Sequence, residues 1–288
     1  MHNRSMHERA GTKATPADLI NVDEVLSAYY DIVPDPNNPD QQVVFGTSGH
    51  RGSSLDGAFN EAHIVATTAA IVEYRKEHGI NGPLFIGRDT HAVSHAILHA
   101  NGANSRHGVR TDGNGLADGI VVTPSHNPPR DGGFKYNPPT GGPADTDATG
   151  PIADRANELL ADWQSIPRIP ADEVLSDAHV ERYDYLGSYV DDLASIIDMD
   201  AIRDAGIRIG ADPLGGASVD YWAAIAEKYA LDLTVVNPTV DPTWSFMTLD
   251  WDGKIRMDCS SPSAMASLLN AMTPDKDGHT PYDIATGN

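Results

Sequence analysis

The feature that most constrains this chain is a recurring unit: a short apolar run stops at a Gly- or Pro-rich loop, and helical periodicity follows. Val43-Val44-Phe45 runs into Gly46-Thr47-Ser48-Gly49-His50-Arg51-Gly52, and Leu84-Phe85-Ile86 runs into Gly87-Arg88-Asp89. Ile120-Val121-Val122 runs into Thr123-Pro124-Ser125-His126-Asn127-Pro128. Such runs, bounded by turn signals, read as buried strands. Between the first two, Asn60 predicts the cap of a helix to His78 that stops at Gly79. Strand, helix and strand in that order predict an α/β domain. Ile207-Arg208-Ile209-Gly210, the helical stretch 216–229 and Leu233-Thr234-Val235-Val236 predict a second βαβ unit.

The rest of the chain is less regular. Residues 1–16 read as a disordered lead-in, and Leu19 to Tyr30 as a helix ending before Pro34. Order fails between Asp89 and Asp118, where only Val93 to Leu98 is periodic, and a long structureless loop is unusual in a compact α/β domain. Residues 132–150 are so rich in Pro and Gly that they predict an extended surface excursion. Pro151 predicts the first residue of a helix through Trp163. A helix within 180–200 reads as the bridge to the second domain, and another is expected over 261–272. The final run, Tyr282 to Asn288, reads as a strand cut at its own edge.

Charge narrows the range of partners. A net charge of −21 argues against binding nucleic acid or an anionic membrane surface. A phosphate-bearing ligand would therefore need a local basic cluster. The lone Cys259 permits no internal disulfide, and neither a signal peptide nor a membrane span is apparent, so a cytoplasmic location is expected.

Ser125 sits on a proline-stiffened loop at a strand's C-terminal end, where open α/β sheets bind ligands. Lys135 follows ten residues on, after Asp131-Gly132-Gly133-Phe134. The glycines at 46, 49 and 52 read as an anion-binding nest to which Arg51 adds a phosphate grip. Two other chemistries fit less well. A hydrolase serine would call for a Gly-x-Ser-x-Gly elbow, which is absent. His91, His95 and His99 have the spacing of a zinc-binding helix face, but no supporting groups are evident.

Together these motifs resemble the bacterial phosphoglucomutases of the α-D-phosphohexomutase superfamily. The resemblance is carried by residues 45–52, 87–91, 123–128 with 133–137, and Asp212-Pro213-Leu214-Gly215-Gly216. It implies a mixed sheet sandwiched between helices and reversible interconversion of glucose 1-phosphate and glucose 6-phosphate, a hexose phosphate being the substrate. Ser125 would carry a phosphate and exchange it through glucose 1,6-bisphosphate, which also serves as activator. Mg²⁺ would bridge the phosphate on Ser125. Lys135 and Arg51 would handle protons and charge, and Ser48, His50 and His126 would line the substrate pocket.

The sequence also departs from that pattern. No Asp-x-Asp-x-Asp-Arg metal loop is present, nor the later sugar-reading Gly-Glu-Glu-Ser loop. The irregular stretch after Ala92 is explained by an internal deletion near 92/93. The expected organisation is a lead-in at 1–16, a phosphoserine domain at 17–180 and an incomplete second α/β domain at 181–288. Such a chain is expected to be an inactive fragment. The alternatives are a non-catalytic phosphosugar-binding remnant and a mutase for mannose or glucosamine phosphate.

Overall fold

A computed structural model describes residues 6–46, 49–94, 116–174 and 176–288. They form two compact units: Asn21–Ser125 with Arg130–Tyr183, and Met1–Ile20 with His126–Pro129 and Asp184–Asn288. The main passage between units falls at Tyr183/Asp184, against the expected 180/181. The assignment of the N-terminal segment and of residues 126–129 to the later unit has no counterpart in the sequence reading.

In the unit around Ser125, four strands are described: β1 (Gly49–Ser53), β2 (Leu84–Arg88), β3 (Asp118–Val122) and β4 (Asp131–Asn137). Their order is β1-β4-β3-β2. β4 is antiparallel to both neighbours and β3 is parallel to β2, so the sheet is mixed. Helices α1 (Val22–Asp31), α2 (Glu61–Glu77) and α3 (Thr146–Leu160) belong to the same unit. α2 and α3 pack together through Ala62, Ala66 and Leu160. Ile120, Phe134 and Tyr136 project from the sheet into the core, each at most 1% exposed.

Three expectations for this unit need correction. Residues 43–45 form no strand; Phe45 makes only an isolated bridge to His50. The ladder begins instead inside the glycine-rich motif, at Gly49. Residues 131–137 are a sheet strand and no surface excursion. Gly132 and Gly133 permit this, because a Cβ on Gly132 would strike the Phe59 ring and one on Gly133 the Thr123 carbonyl. Finally, α3 starts at Thr146, capped by Asp145, and Pro151 lies inside the helix. Its missing N–H removes one bond near the helix start, where few bonds have yet formed.

The other unit is built on a parallel sheet of order β6-β5-β7, from β5 (Ile209–Asp212), β6 (Leu233–Val235) and β7 (Ile284–Gly287). α4 (Tyr185–Ile196), α5 (Met199–Ala205), α6 (Val219–Tyr229) and α7 (Ala266–Ala271) accompany it. One core gathers Leu214, Trp244, Met247, Leu249, Ile255 and Met265, with Ala14 and Leu19 against it. Residues 7–14 of the N-terminal lead-in are therefore ordered. His7 N–H donates to Trp251 O, Gly11 N–H to Leu249 O and Ala14 N–H to Met247 O, at 2.7–2.9 Å. Its polar composition hid this, because the docking is made by backbone groups.

Candidate active site

Strand periodicity decides which side chains can meet. Successive residues of a strand face opposite sides of the sheet, and paired residues share a side. Arg51 pairs with Gly133, and Gly49 with Lys135. Arg51 and Lys135 thus project from the same face. His50 pairs with Phe134 and takes the opposite face.

That same face carries the serine loop. A Cβ built on Gly133 would lie 2.6 Å from Pro124 Cα and closer still to the Thr123 carbonyl, so the Thr123-Pro124 backbone rests on Gly133. Arg51 flanks Gly133 across the ladder and Lys135 lies two residues along β4. Ser125, next after Pro124, is exposed, and its turn lies over the face that carries the two basic residues. Its backbone is left-handed, with φ +66°. A non-glycine residue there costs roughly 1–3 kcal/mol, sustained by the surrounding structure. The Ser125 N–H donates to Thr123 Oγ1 at 2.8 Å, the local restraint.

The electrostatics favour an anion. Burial pushes the half-buried Lys135 amine below its ordinary pKa; the Arg51 charge adds to this and Asp89 opposes it. Burial alone would raise the Asp89 carboxyl, but the hydrogen bonds from His91 hold it below the usual carboxylate range. His91 Nδ1 lies 2.9 Å from Asp89 Oδ2, and the His91 N–H donates to Oδ1 at 3.0 Å. Like-charged Arg51 and Lys135 held together on one face are relieved by a bound phosphate.

Other expected site residues are placed differently. His50, expected to line the pocket, is 2% exposed and stacked on Phe59. Its ring centroid is 5.2 Å from that of His63. His50 Nδ1 lies 3.2 Å from Val44 N, so the ring braces the segment entering the motif. Ser48 lies outside the described residues, as do His95 and His99. His91 precedes the short helical turn at 92–94 and is engaged by Asp89. His126 is exposed and belongs to the other unit, where its charge helps the Ser260 hydrogen bonds to hold the Asp258 carboxyl low.

The segment ahead of β1 relies on residues the sequence did not single out. Asn157 accepts the Val43 N–H at 2.7 Å and donates to Val43 O at 2.9 Å. His63 Nδ1 accepts the Asn60 N–H at 3.0 Å, so its Nε2–H donates to Gln41 O at 2.8 Å. Side chains thus supply hydrogen bonds where a strand partner was expected. Asn157 and His63 gave no sequence signal, being polar residues on helices far from the motif. Asp89 and Thr123 did stand inside quoted motifs, each at a strand's end.

Magnesium does not fit what is described. Among the described residues no group of three or more His, Cys, Asp or Glu side chains could hold a metal ion. Among the same residues, no helix is long and apolar enough to cross a membrane.

Comparison with known proteins agrees with this geometry. Residues 42–103 and 105–162 match the family model for phosphoglucomutase/phosphomannomutase, alpha/beta/alpha domain I. A phosphoglucomutase of Komagataeibacter xylinus is 49% identical over 305 residues, covering 97% of this chain and 54% of its own length. A phosphoglucosamine mutase of Jannaschia sp. (strain CCS1) is 30% identical over 246 residues, covering 78% of this chain and 51% of its own length. The chain therefore spans about half the length of the curated relatives it matches. In structure, the phosphoglucomutase parafusin of Paramecium, in its open form, superposes with a TM-score of 0.60 at 16% identity, over 85% of this chain and 50% of that one. That likeness shows the fold. With the matched domain I enclosing the serine loop and both basic strands, the chain belongs to the α-D-phosphohexomutase superfamily.

Proposed function

We propose that Ser125 is the phosphoryl-accepting residue of a phosphoglucomutase-type exchange between glucose 1-phosphate and glucose 6-phosphate through glucose 1,6-bisphosphate, and that this chain, about half a relative's length, takes up the phosphoryl group without completing turnover. One observation carries the reading: an exposed, left-handed Ser125 on a turn seated on Gly133, at the sheet face that carries Arg51 and Lys135. The relative at 49% identity supports glucose phosphates over other hexose phosphates.

In the step, Ser125 Oγ attacks a phosphoryl group of the bisphosphate. The Oγ–P bond forms as the sugar O–P bond breaks, the serine proton leaves and the sugar oxygen takes up a proton. Lys135, its pKa lowered by burial and by Arg51, is the group suited to move that proton. Arg51 offsets charge on the transferring phosphoryl oxygens. In the family picture magnesium would offset charge on the phosphate carried by Ser125, but the described donors do not fit that ion. His126 and Ser48 remain candidates for substrate contact, whereas the burial of His50 supports a bracing role.

We also read a deletion near Ala92/Val93. Its support is that the 305-position alignment is longer than the 288-residue chain, so it holds positions with no counterpart here.

The test is intact-mass analysis after incubation with glucose 1,6-bisphosphate, followed by peptide mapping. One phosphate on Ser125 is expected, and none in Ser125→Ala. Binding of the bisphosphate without covalent phosphate would overturn the proposal in favour of a phosphosugar-binding remnant.

A further inference from the structure

We propose that Gly49 is a positioning residue for Lys135: the space left by its missing side chain seats the lysine stem and brings the amine to the strand that carries Arg51. What this does for phosphate uptake rests on the role proposed above for Lys135; the seat itself does not.

Register sets the two residues opposite each other, Gly49 on β1 and Lys135 on β4. A Cβ built on Gly49 would lie 2.6 Å from Lys135 Cγ. That is well inside the ~3.5–4.0 Å at which two unbonded carbons are best placed. The lysine stem therefore leans across the ladder and lies over Gly49, which is buried although β1 stands at the end of the strand order. On its other side Lys135 pairs with Val121 of β3, whose branched side chain rises from the same face. Of the two cross-strand neighbours, only Gly49 leaves room for a methylene chain.

Arg51 lies two residues from Gly49 along β1 and projects from the same face. A stem lying over β1 thus carries the Lys135 amine towards Arg51, whereas a stem standing clear of the sheet would carry it into water. The influences on the amine agree with the first arrangement: burial and the Arg51 charge push its pKa down, and Asp89, just beyond the end of β2, pulls it up. The seat is itself fixed, because Gly49 O accepts the Gly46 N–H at 3.0 Å, which ties it to the head of the glycine-rich motif. A proton carrier held in one place meets less of the entropic barrier to transfer than one free to swing.

The test uses the full chain with Gly49→Ala, Lys135→Ala and both changes together. Three readouts are needed: the NMR titration of the Lys135 ε-methylene, assigned by its loss in Lys135→Ala; the rate of phosphate uptake from glucose 1,6-bisphosphate against pH; and thermal melting. In Gly49→Ala the titration midpoint should rise towards that of an exposed lysine, and the pH profile of uptake should move with it. Uptake near neutral pH should fall about tenfold, short of the roughly 10²–10⁴-fold loss expected when the proton carrier is removed in Lys135→Ala. The drop in melting temperature caused by Gly49→Ala should be smaller in the Lys135→Ala background, where no Cγ is left to displace. A Cβ at 49 would also lie 2.9 Å from the Phe134 carbonyl, so an equal drop in both backgrounds would trace the effect to that carbonyl and overturn the proposal. A folded Gly49→Ala protein with the parental Lys135 midpoint does the same. If Gly49→Ala does not fold, the unmodified chain decides: nuclear Overhauser contacts between the Gly49 α-protons and the Lys135 γ-protons are expected, and their absence overturns the seat. Should the unmodified chain take up no phosphate while the midpoint still rises in Gly49→Ala, the proposed function falls and the seat stands.

Discussion

Two segments approach β4 from either side, and they are held by opposite chemistry. Residues 41–44, which lead into β1, are held by neutral groups: the Asn157 amide and the His63 and His50 imidazoles. The serine turn at 123–125 follows a strand end tied to an ionised carboxylate residue, Asp89, whose backbone N–H donates to Val122 O at 3.0 Å. A buried neutral brace is insensitive to salt and fails when protonated. A carboxylate anchor survives mild acid and fails only when it is discharged. The segment that presents Arg51 and the turn that presents Ser125 can therefore be loosened one at a time.

The largest effect should come from Asn157→Ala. Val43 is 2% exposed, and its N–H and C=O would both lose their partners. We expect a loss of about 2–4 kcal/mol, read as a lower urea midpoint at unchanged slope. The Ser125 amide should stay protected, because its restraints lie elsewhere.

Gly133→Ala should come next and act on the opposite segment. Its Cβ would meet backbone, the Thr123 carbonyl and Pro124 Cα, which cannot rotate away. Overpacking of this kind costs about 1–3 kcal/mol and should displace the serine turn. Phosphate uptake should fall while the Val43 and Val44 amides keep their exchange rates. A variant with parental uptake would mean that the turn does not rest on Gly133.

The smallest and sharpest contrast is in pH. Burial, with His63 nearby, lowers His50 from 6.5 to about 3, and burial lowers His63 as well. In both, the folded form binds protons less readily than the unfolded one. Their stabilisation is complete above about pH 6.5 and is lost as pH falls towards the folded values. Asp89 is also lowered, but from 3.8, so its contribution persists until the pH falls below that value. At about pH 5 the Val44 amide should be less protected, relative to its unstructured exchange rate, than at neutral pH, while the Ser125 amide should not. Equal loss of protection at both would erase the distinction between the two braces.

The same contrast explains what the sequence disclosed. Ser125, Arg51 and Lys135 stood out as candidates because Pro, Gly and basic residues cluster in short contiguous motifs. The strands at 84–88 and 118–122 were legible because they are apolar runs. His50 was misplaced by motif reading, since neighbours on a strand face opposite ways and only Arg51 could share a face with Lys135. The strand at 131–137 was hidden by its glycines, whose purpose, close approach of Phe59 and the serine turn, is visible only in three dimensions. The brace at 41–44 left no trace because Asn157 lies 114 residues from Val43. Distant polar partners have no local signature.

The docking of residues 7–19 against 247–255 has a consequence in time. The segment leaves the ribosome well before the backbone groups and the Trp244–Met265 cluster that receive it are made. At translation speeds of about 5–20 residues per second the delay is on the order of ten seconds to a minute. Throughout that interval Ala14 and Leu19 have no core to enter, whereas residues 21–183 can already close around their own sheet. Biosynthesis thus imposes an order in which residues 21–183 can close before residues 7–19 find their place.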